Sequence, residues 1–449
     1  MSPAPARLAE LDLDAARERL VHASTLRVSG RVHQVTGLVI GARIPGLRVG
    51  ELCTIHNVDG GSVPAEVVGF RDRQVQLMAL GEVSGIGPDS ALHPTGRTLA
   101  VAVGPGLLGR VLNALGEPID GRGPLTDIET RDYPVFTDPP APLKRMPIRQ
   151  PLSVGVRVID SALTVGAGQR LGIFAGAGHG KSTLLAMMAR NTSADVNVIA
   201  LVGERGREVH DFLENALGPE GLKRSVVVVA TSDEPPLLRI KAAYVATAIA
   251  ESFRDLGKSV LFLMDSVTRF ARAQREVGLA TGEPPARGGF PPSVFAVLPR
   301  LLERTGNSDV GSITALYAVL VEGDDLSEPV ADEVRSILDG HIVLSGELAS
   351  RGHFPAIDLL KSASRLFEML AEDRQRQLVY RLRDMLAAYE RNRDLVLIGA
   401  YQAGSDPMVD AYLACQQQIR EFLRQAVHEP GDLDQAVARL EAAVGGRGA

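Results

Sequence analysis

The chain has 449 residues, enough for two or three domains with sizeable cores, and its 45% hydrophobic and 23% charged content excludes wholesale disorder. A formal net charge of -6 counts against a protein that lives on nucleic acid. Two cysteines, Cys53 and Cys415, without CxxC spacing or histidine companions, exclude a disulfide framework and a zinc site, and no apolar run reaches bilayer-spanning length or reads as a signal peptide. A cytoplasmic chain, at most peripheral on a membrane, is the expectation.

Residues 6–22 read as a short helix. Arg7, Glu10, Asp14, Arg17 and Glu18 form a charged side, and Leu8, Leu11, Ala15, Ala16 and Leu20 an apolar one interrupted by Asp12 and Arg19. Residues 1–25 are therefore an expected helical arm, packed on its own domain or docking elsewhere. From Leu26 short β-branched runs alternate with Gly, Asn and Asp turns: Gly30–Val32, Leu38–Ile40, Ala65–Val68 and Val75–Leu77. That pattern predicts a small antiparallel barrel or sandwich over 26–95. A glycine-punctuated stretch, 104–124, leads to a connector, 134–151, too rich in proline for helix or interior strand.

After Pro151 the pattern is α/β. Leu171–Phe174, Val198–Val202, Val226–Ala230, Val260–Met264 and Ile313–Val319 read as buried strands, with helices such as Leu237–Phe253 between them. Continuous apolar strands alternating with helices imply a parallel sheet covered on both faces, placed here in a domain over 96–370. From residue 371 to 449 the chain reads as helical, with Gln375–Tyr389, Met408–Val427 and Leu433–Val444 as its segments.

Three motifs carry chemistry. Ala175-Gly176-Ala177-Gly178-His179-Gly180-Lys181-Ser182 follows the strand Leu171–Phe174 and opens the helical run Thr183–Arg190. Strand, glycine-rich loop and helix N-terminus together make a phosphate cradle. Lys181 would reach the β- and γ-phosphates of ATP, and the Ser182 hydroxyl would ligate Mg2+. Gly176, Ala177, Gly178, His179, Gly180 and Thr183 complete the nucleotide contacts, His179 as a filler of a variable slot. The first glycine of the usual pattern is Ala175. Second, Val202-Gly203-Glu204-Arg205-Gly206-Arg207-Glu208 ends the next strand, which puts Glu204 beside the loop as a carboxylate able to polarise an attacking water. Third, Val260–Met264 ends in Asp265, a rigidly held carboxylate for Mg2+. His353–Asp358 and Ser362-Ala363-Ser364-Arg365 form a further segment, in which nothing local says what Arg365 does.

With these motifs on the page, the chain resembles the rotary-type ATPases, and within them the type III export ATPases of flagella and injectisomes. Asp265-Ser266-Val267-Thr268-Arg269-Phe270-Ala271, Thr281–Pro285, Pro291–Phe295, Leu298–Arg304 and Gly399–Gln402 carry the resemblance, which runs from about Leu26 to Gln425. It implies an N-terminal β-barrel, a RecA-like P-loop core and a C-terminal helical domain, assembled as a homohexameric ring. It also implies Glu204 as catalytic carboxylate with Arg205 beside it, Arg365 as an arginine finger inserted into a neighbour's site, and Phe354 as an aromatic against the adenine. Gly346 departs from the arginine expected there. Stator and stalk proteins, export chaperone–substrate complexes and the cytoplasmic face of the inner membrane are the implied partners. Asp195–Ala200 and Leu171–Phe174 look more like injectisome than flagellar members.

Other readings differ in class. For a subunit of another rotary ATPase, Glu204 and Arg365 in one chain count against the regulatory version, and the export-branch segments count against both the catalytic and the regulatory one. A Rho-like RNA translocase needs stacking aromatics, yet Phe70 is the lone aromatic of residues 26–93. A nucleotide-dependent docking platform would bind ATP without releasing phosphate.

Overall fold

The computed structural model of the protein describes residues 28–57, 59–125, 130–323 and 325–445. The helix expected over 6–22 lies outside the described residues. The described residues form two compact units, one within 28–78 and 83–97 and one holding 79–82 and those from 98 to 445.

The first unit is a closed antiparallel barrel. Its strands are β1 (Gly30–Thr36), β2 (Val39–Arg43), β3 (Glu51–His56), β4 (Ser62–Arg71), β5 (Gln74–Ala79) and β6 (Ala91–Thr98), in the order β1-β2-β5-β4-β3-β6. Alternation drives closure: Val32, Ile40, Ala42, Cys53, Ile55, Val67, Val75, Leu77 and Leu92 all point inward and are buried. The sequence pattern left barrel and sandwich open, and the pairing of β1 with β6 decides it. Asp72 and Arg73, with φ of 49° and 63°, make the two-residue turn between β4 and β5 that the twist of a hairpin favours. β6 runs past residue 95, where the sequence placed the end of this domain.

The second unit holds β7 (Ala100–Val103), β8 (Val111–Leu112), β9 (Arg131–Pro134), β10 (Arg170–Ala175), β11 (Val196–Glu204), β12 (Ser225–Thr231), β13 (Ser259–Asp265), β14 (Gly306–Asn307), β15 (Ser312–Leu320), β16 (Gly340–Leu344) and β17 (Ala363–Ser364). β7 pairs with β9 as a separate ribbon, while the main sheet runs β17-β16-β10-β15-β13-β11-β12-β8. Its strands are parallel except for β14 and β17 at the periphery. Every residue of β11 is buried, which is why it reads as a continuous apolar run.

Around the sheet lie α1 (Arg157–Ala162), α2 (Lys181–Asn191), α3 (Gly206–Asp211), α4 (Pro236–Asp255) and α5 (Val267–Ala280). The chain then closes with α6 (Asp373–Leu397), α7 (Pro407–Leu423) and α8 (Leu433–Val444). These last three pack on one another and on α1, sharing the core of the sheet domain through Val379, Leu382, Ile419, Phe422 and Leu440. Tyr389 stacks on Tyr412 with ring centroids 4.3 Å apart. Arg157 fixes the junction. Its guanidinium donates to the carbonyls of Glu421, Phe422 and Arg424 at 3.2, 3.1 and 2.9 Å, the unsatisfied acceptors at the end of α7, and pairs with Glu429.

Candidate active site

The phosphate loop sits at the carboxyl end of β10. Gly178 and Gly180 have φ of 80° and 83°, a region that costs a side-chain-bearing residue about 1–2 kcal/mol, and Gly180 is the cap from which α2 starts. The Gly176 N–H donates to His179 Nδ1 at 3.1 Å, and that nitrogen lies 3.2 Å from the Leu344 carbonyl, so the His179 ring rests on the loop's own backbone. Thr183 belongs to the first turn of α2 and lines, with Ser182, a cavity of about 140 Å3 that also meets Glu204, Glu208 and Asp265.

Register aligns the acidic groups. Asp265, the last residue of β13, is paired with Leu201 of β11, so Glu204 stands farther along the neighbouring strand. Lys181 reaches across beneath the loop. Its ammonium pairs with Asp265 and lies 3.9 Å from Glu204 Oε1, and all three side chains are buried. The Ser182 hydroxyl is 3.5 Å from Asp265 Oδ2.

Glu204 is held by Arg269, in the first turn of α5, whose Nη2 donates to Glu204 Oε2 at 3.3 Å and whose Nη1 donates to the Gly203 carbonyl at 2.5 Å. Glu204 Oε1 is buried yet accepts no hydrogen bond. Burial, then the Asp265 charge, then a hydrogen bond with Glu208 push the Glu204 carboxyl up to about 8, against the opposing pull of Lys181 and Arg269. The same hydrogen bond holds Glu208 below the usual carboxylate range. The proton of this pair therefore resides on Glu204.

A pH dependence follows. Because the Glu204 pKa is raised on folding from 4.5 to about 8, the stability it contributes to nucleotide-free protein is fully present below pH 4.5 and is lost as pH rises through 8. Thermal unfolding of wild type should lose stability across that window relative to Glu204→Gln, which has no group to ionise there. The same ionisation should appear as a rising limb near pH 8 in kcat/KM for ATP, which reports groups of the free enzyme.

Do these residues suit ATP and magnesium? The donors are a hydroxyl and a carboxylate converging at 3.5 Å, with an orphaned carboxylate oxygen nearby, which is the oxygen chemistry a hard divalent cation takes. Left-handed backbone at Gly178 and Gly180 and a helix N-terminus suit phosphate. The fit is good for both.

Of the residues named from sequence, Lys181, Ser182, Glu204 and Asp265 come together at one point. Phe354 joins them from another element: a methyl group built on Gly180 would stand 3.4 Å from its ring, and 44% of the residue remains exposed for a ligand. Arg205 stands apart, its guanidinium exposed and 3.5 Å from Glu208 Oε1, and it is Arg269 that reaches Glu204. Gly346 opens the short helix Gly346–Ser350. Arg365 is not at this site at all. It follows β17, which pairs with Gly340 and His341 at the start of β16, whereas Ala175 beside the loop pairs with Leu344 at the end. Four strand residues separate those levels, about 13 Å at the usual rise. Sequence reasoning missed Arg269 and Glu208. Each stands four residues beyond a strand-end carboxylate, on the first turn of the following helix, and that spacing was the available signal.

A parallel sheet with a glycine-rich loop, a lysine, a hydroxyl and two strand-end carboxylates at its carboxyl edge defines a RecA-like P-loop ATPase. The models of the ATP synthase alpha/beta family match over residues 32–96 (beta-barrel domain) and 155–364 (nucleotide-binding domain), and the T3SS EscN ATPase C-terminal domain matches over 371–442. The flagellum-specific ATP synthase of Bacillus subtilis is 53% identical over 93% of this chain and 95% of its own length. The type 3 secretion system ATPase of Pseudomonas savastanoi is 49% identical over 95% and 96%. Among solved structures, the assembled ATPase EscN of enteropathogenic E. coli superposes with a TM-score of 0.86 at 44% identity over 92% of this chain, and EscN with its central stalk EscO gives 0.85. The chain belongs to the ATPases of type III secretion and flagellar export, and it is an ATP-hydrolysing enzyme.

Proposed function

We propose that the chain is the MgATP-hydrolysing motor of a type III protein-export apparatus, working as a closed ring of identical subunits with a site at each interface. The observation that carries this is the separation of Arg365 from the phosphate loop of its own chain. One polypeptide then supplies both halves of a site, the carboxylate to its own nucleotide and the arginine to its neighbour's, and a head-to-tail interface of that kind closes into a ring.

Within a site Lys181 holds the β- and γ-phosphates. Ser182 and Asp265 would hold magnesium, which when bound neutralises phosphate charge. Glu204, ionised and oriented by Arg269, accepts a hydrogen bond from the attacking water and draws off its proton. The proton that Glu204 carries in the empty site is lost to solvent as the pH rises through about 8, which leaves the carboxylate free to act. Phe354 lies against the adenine, and the neighbour's Arg365 stabilises charge as the bond to the γ-phosphoryl group breaks. The solved complex of the E. coli relative with its central stalk supports a stalk partner here. Release and unfolding of chaperone-bound export substrates, a stator partner and a position on the cytoplasmic face of the inner membrane complete the reading. The segments Asp195–Ala200 and Leu171–Phe174 favour an injectisome over a flagellum.

Specific ATP turnover should rise with protein concentration as subunits assemble, and reach a plateau when rings are complete. A steady-state phosphate-release series over a dilution range tests it. Turnover independent of concentration down to the monomer would overturn the interface site, and nucleotide binding without any phosphate release would make the chain a docking platform.

A further inference from the structure

Arg365 is exposed, and the strand before it has two residues at the edge of the sheet. Two ladder positions are a weak foundation for a group that must meet another molecule's nucleotide to within a fraction of an ångström. Bonds from Val343 and Arg383 to Ser362 hold the residues just before it, and a buried amide holds the strand itself. Gln169, 0% exposed, is the residue just before β10. Its Oε1 accepts the Gly166 N–H at 2.8 Å, and its Nε2 donates to the Asp339 carbonyl at 3.1 Å and to Ser364 Oγ at 3.0 Å. The Asp339 carbonyl also receives the N–H of Arg365 itself at 3.0 Å. Ser364 in turn donates to the Thr164 carbonyl at 3.1 Å.

The backbone of the arginine and the side chain preceding it are thus both referred to Gln169. Its donors are fully used; Ser364 is also tied to the Thr164 carbonyl and Asp339 to Arg170, and Gln169 is the side chain that bonds to both. A buried amide of this kind is costly to leave half-satisfied, which makes the arrangement a rigid one.

We propose that Gln169 is a positioning residue for Arg365, setting the origin from which the arginine reaches the neighbouring subunit's nucleotide; this rests on the trans-acting role argued above. Gln169→Met keeps the side chain's length and removes its hydrogen bonds, and Ser364→Ala removes one end of the same tether from a less buried position.

Both variants should keep ATP affinity and KM while kcat falls by about 10²-fold or less, the scale of a misplacement near 1 Å. The decisive readout is complementation in mixed rings. Gln169→Met should regain activity when mixed with Glu204→Gln, which offers it a well-placed arginine. It should regain none with Arg365→Ala, which does not. A lesion in the subunit's own phosphate loop gives the reverse pattern, and a general folding defect gives recovery with neither; both overturn the proposal, as does an unchanged kcat. If Gln169→Met fails to fold, Ser364→Ala is read in the same two mixtures. The control is Glu204→Gln with Arg365→Ala. Absence of recovery in that control, with activity simply proportional to the share of added wild-type subunits, overturns the interface reading together with this inference, whereas recovery there with the reversed pattern overturns this inference alone.

Discussion

Glu204→Gln protein should bind ATP about as well as wild type and hydrolyse it about 10²–10⁴-fold more slowly, the usual loss for a positioned acid–base group. The amide fills the same space at the end of β11 and still accepts a hydrogen bond from Arg269, so the phosphate loop, Lys181 and Ser182 are left in place. What disappears is the basicity of Oε1, the buried oxygen that accepts no hydrogen bond from the protein and has only the Arg269 and Lys181 charges nearby, at 3.3 and 3.9 Å. Binding of a fluorescent nucleotide and single-turnover phosphate release separate the two quantities. Near-normal turnover in this variant would move the role to Glu208, the carboxyl group hydrogen-bonded to it.

Arg365→Ala should also bind ATP normally and lose hydrolysis, here by about 10³–10⁵-fold, the range for arginines supplied in trans to phosphoryl transfer. The loss falls on kcat because the guanidinium meets charge that develops in the transition state more than in bound ATP. Its distance from the chain's own loop makes the mixing result specific. Glu204→Gln and Arg365→Ala subunits are each nearly inactive, yet rings containing both have interfaces where an intact Glu204 faces an intact Arg365. Partial recovery is expected. Co-assembly without recovery, with activity that rises in simple proportion to an increasing share of wild-type subunits, would place the arginine's action within its own subunit.

Much of this architecture was legible in the residues. The five buried strands read from sequence all lie within β10, β11, β12, β13 and β15, because a strand covered on both faces can be little other than apolar. Lys181, Ser182, Glu204 and Asp265 were legible because loop and strand ends fix their neighbourhood locally. β16 and β17 were not: five and two residues long, they draw their identity from pairing beside β10 and carry almost no periodicity. Nothing in the stretch Asp265–Ala271 singles out Arg269, since its bond to Glu204 depends on the register between β11 and β13. Gln169 gave no signal, for its partners lie 170 and 195 positions downstream.

The Arg157 clamp bears on how this enzyme can be cut and rejoined. Gln425 accepts the Arg157 N–H at 2.8 Å, donates to the Gly155 carbonyl at 2.9 Å, and its own N–H meets the Phe354 carbonyl at 3.1 Å. The end of α7 is thereby written into the same hydrogen-bond ledger as the segment carrying Phe354. A chimera spliced at residue 371, exchanging the C-terminal helices for those of a relative, keeps Arg157 and the main-chain carbonyls it meets, but is not guaranteed the side chains of Gln425 and Glu429. Removing the carboxylate from a buried ion pair costs about 3–5 kcal/mol, a large share of what holds a domain folded. Donor helices will graft cleanly only when they bring a glutamine at 425 and a carboxylate at 429. The heritable module is thus the helices together with residues 155–157, and a border drawn by sequence between residues 370 and 371 runs through the middle of it.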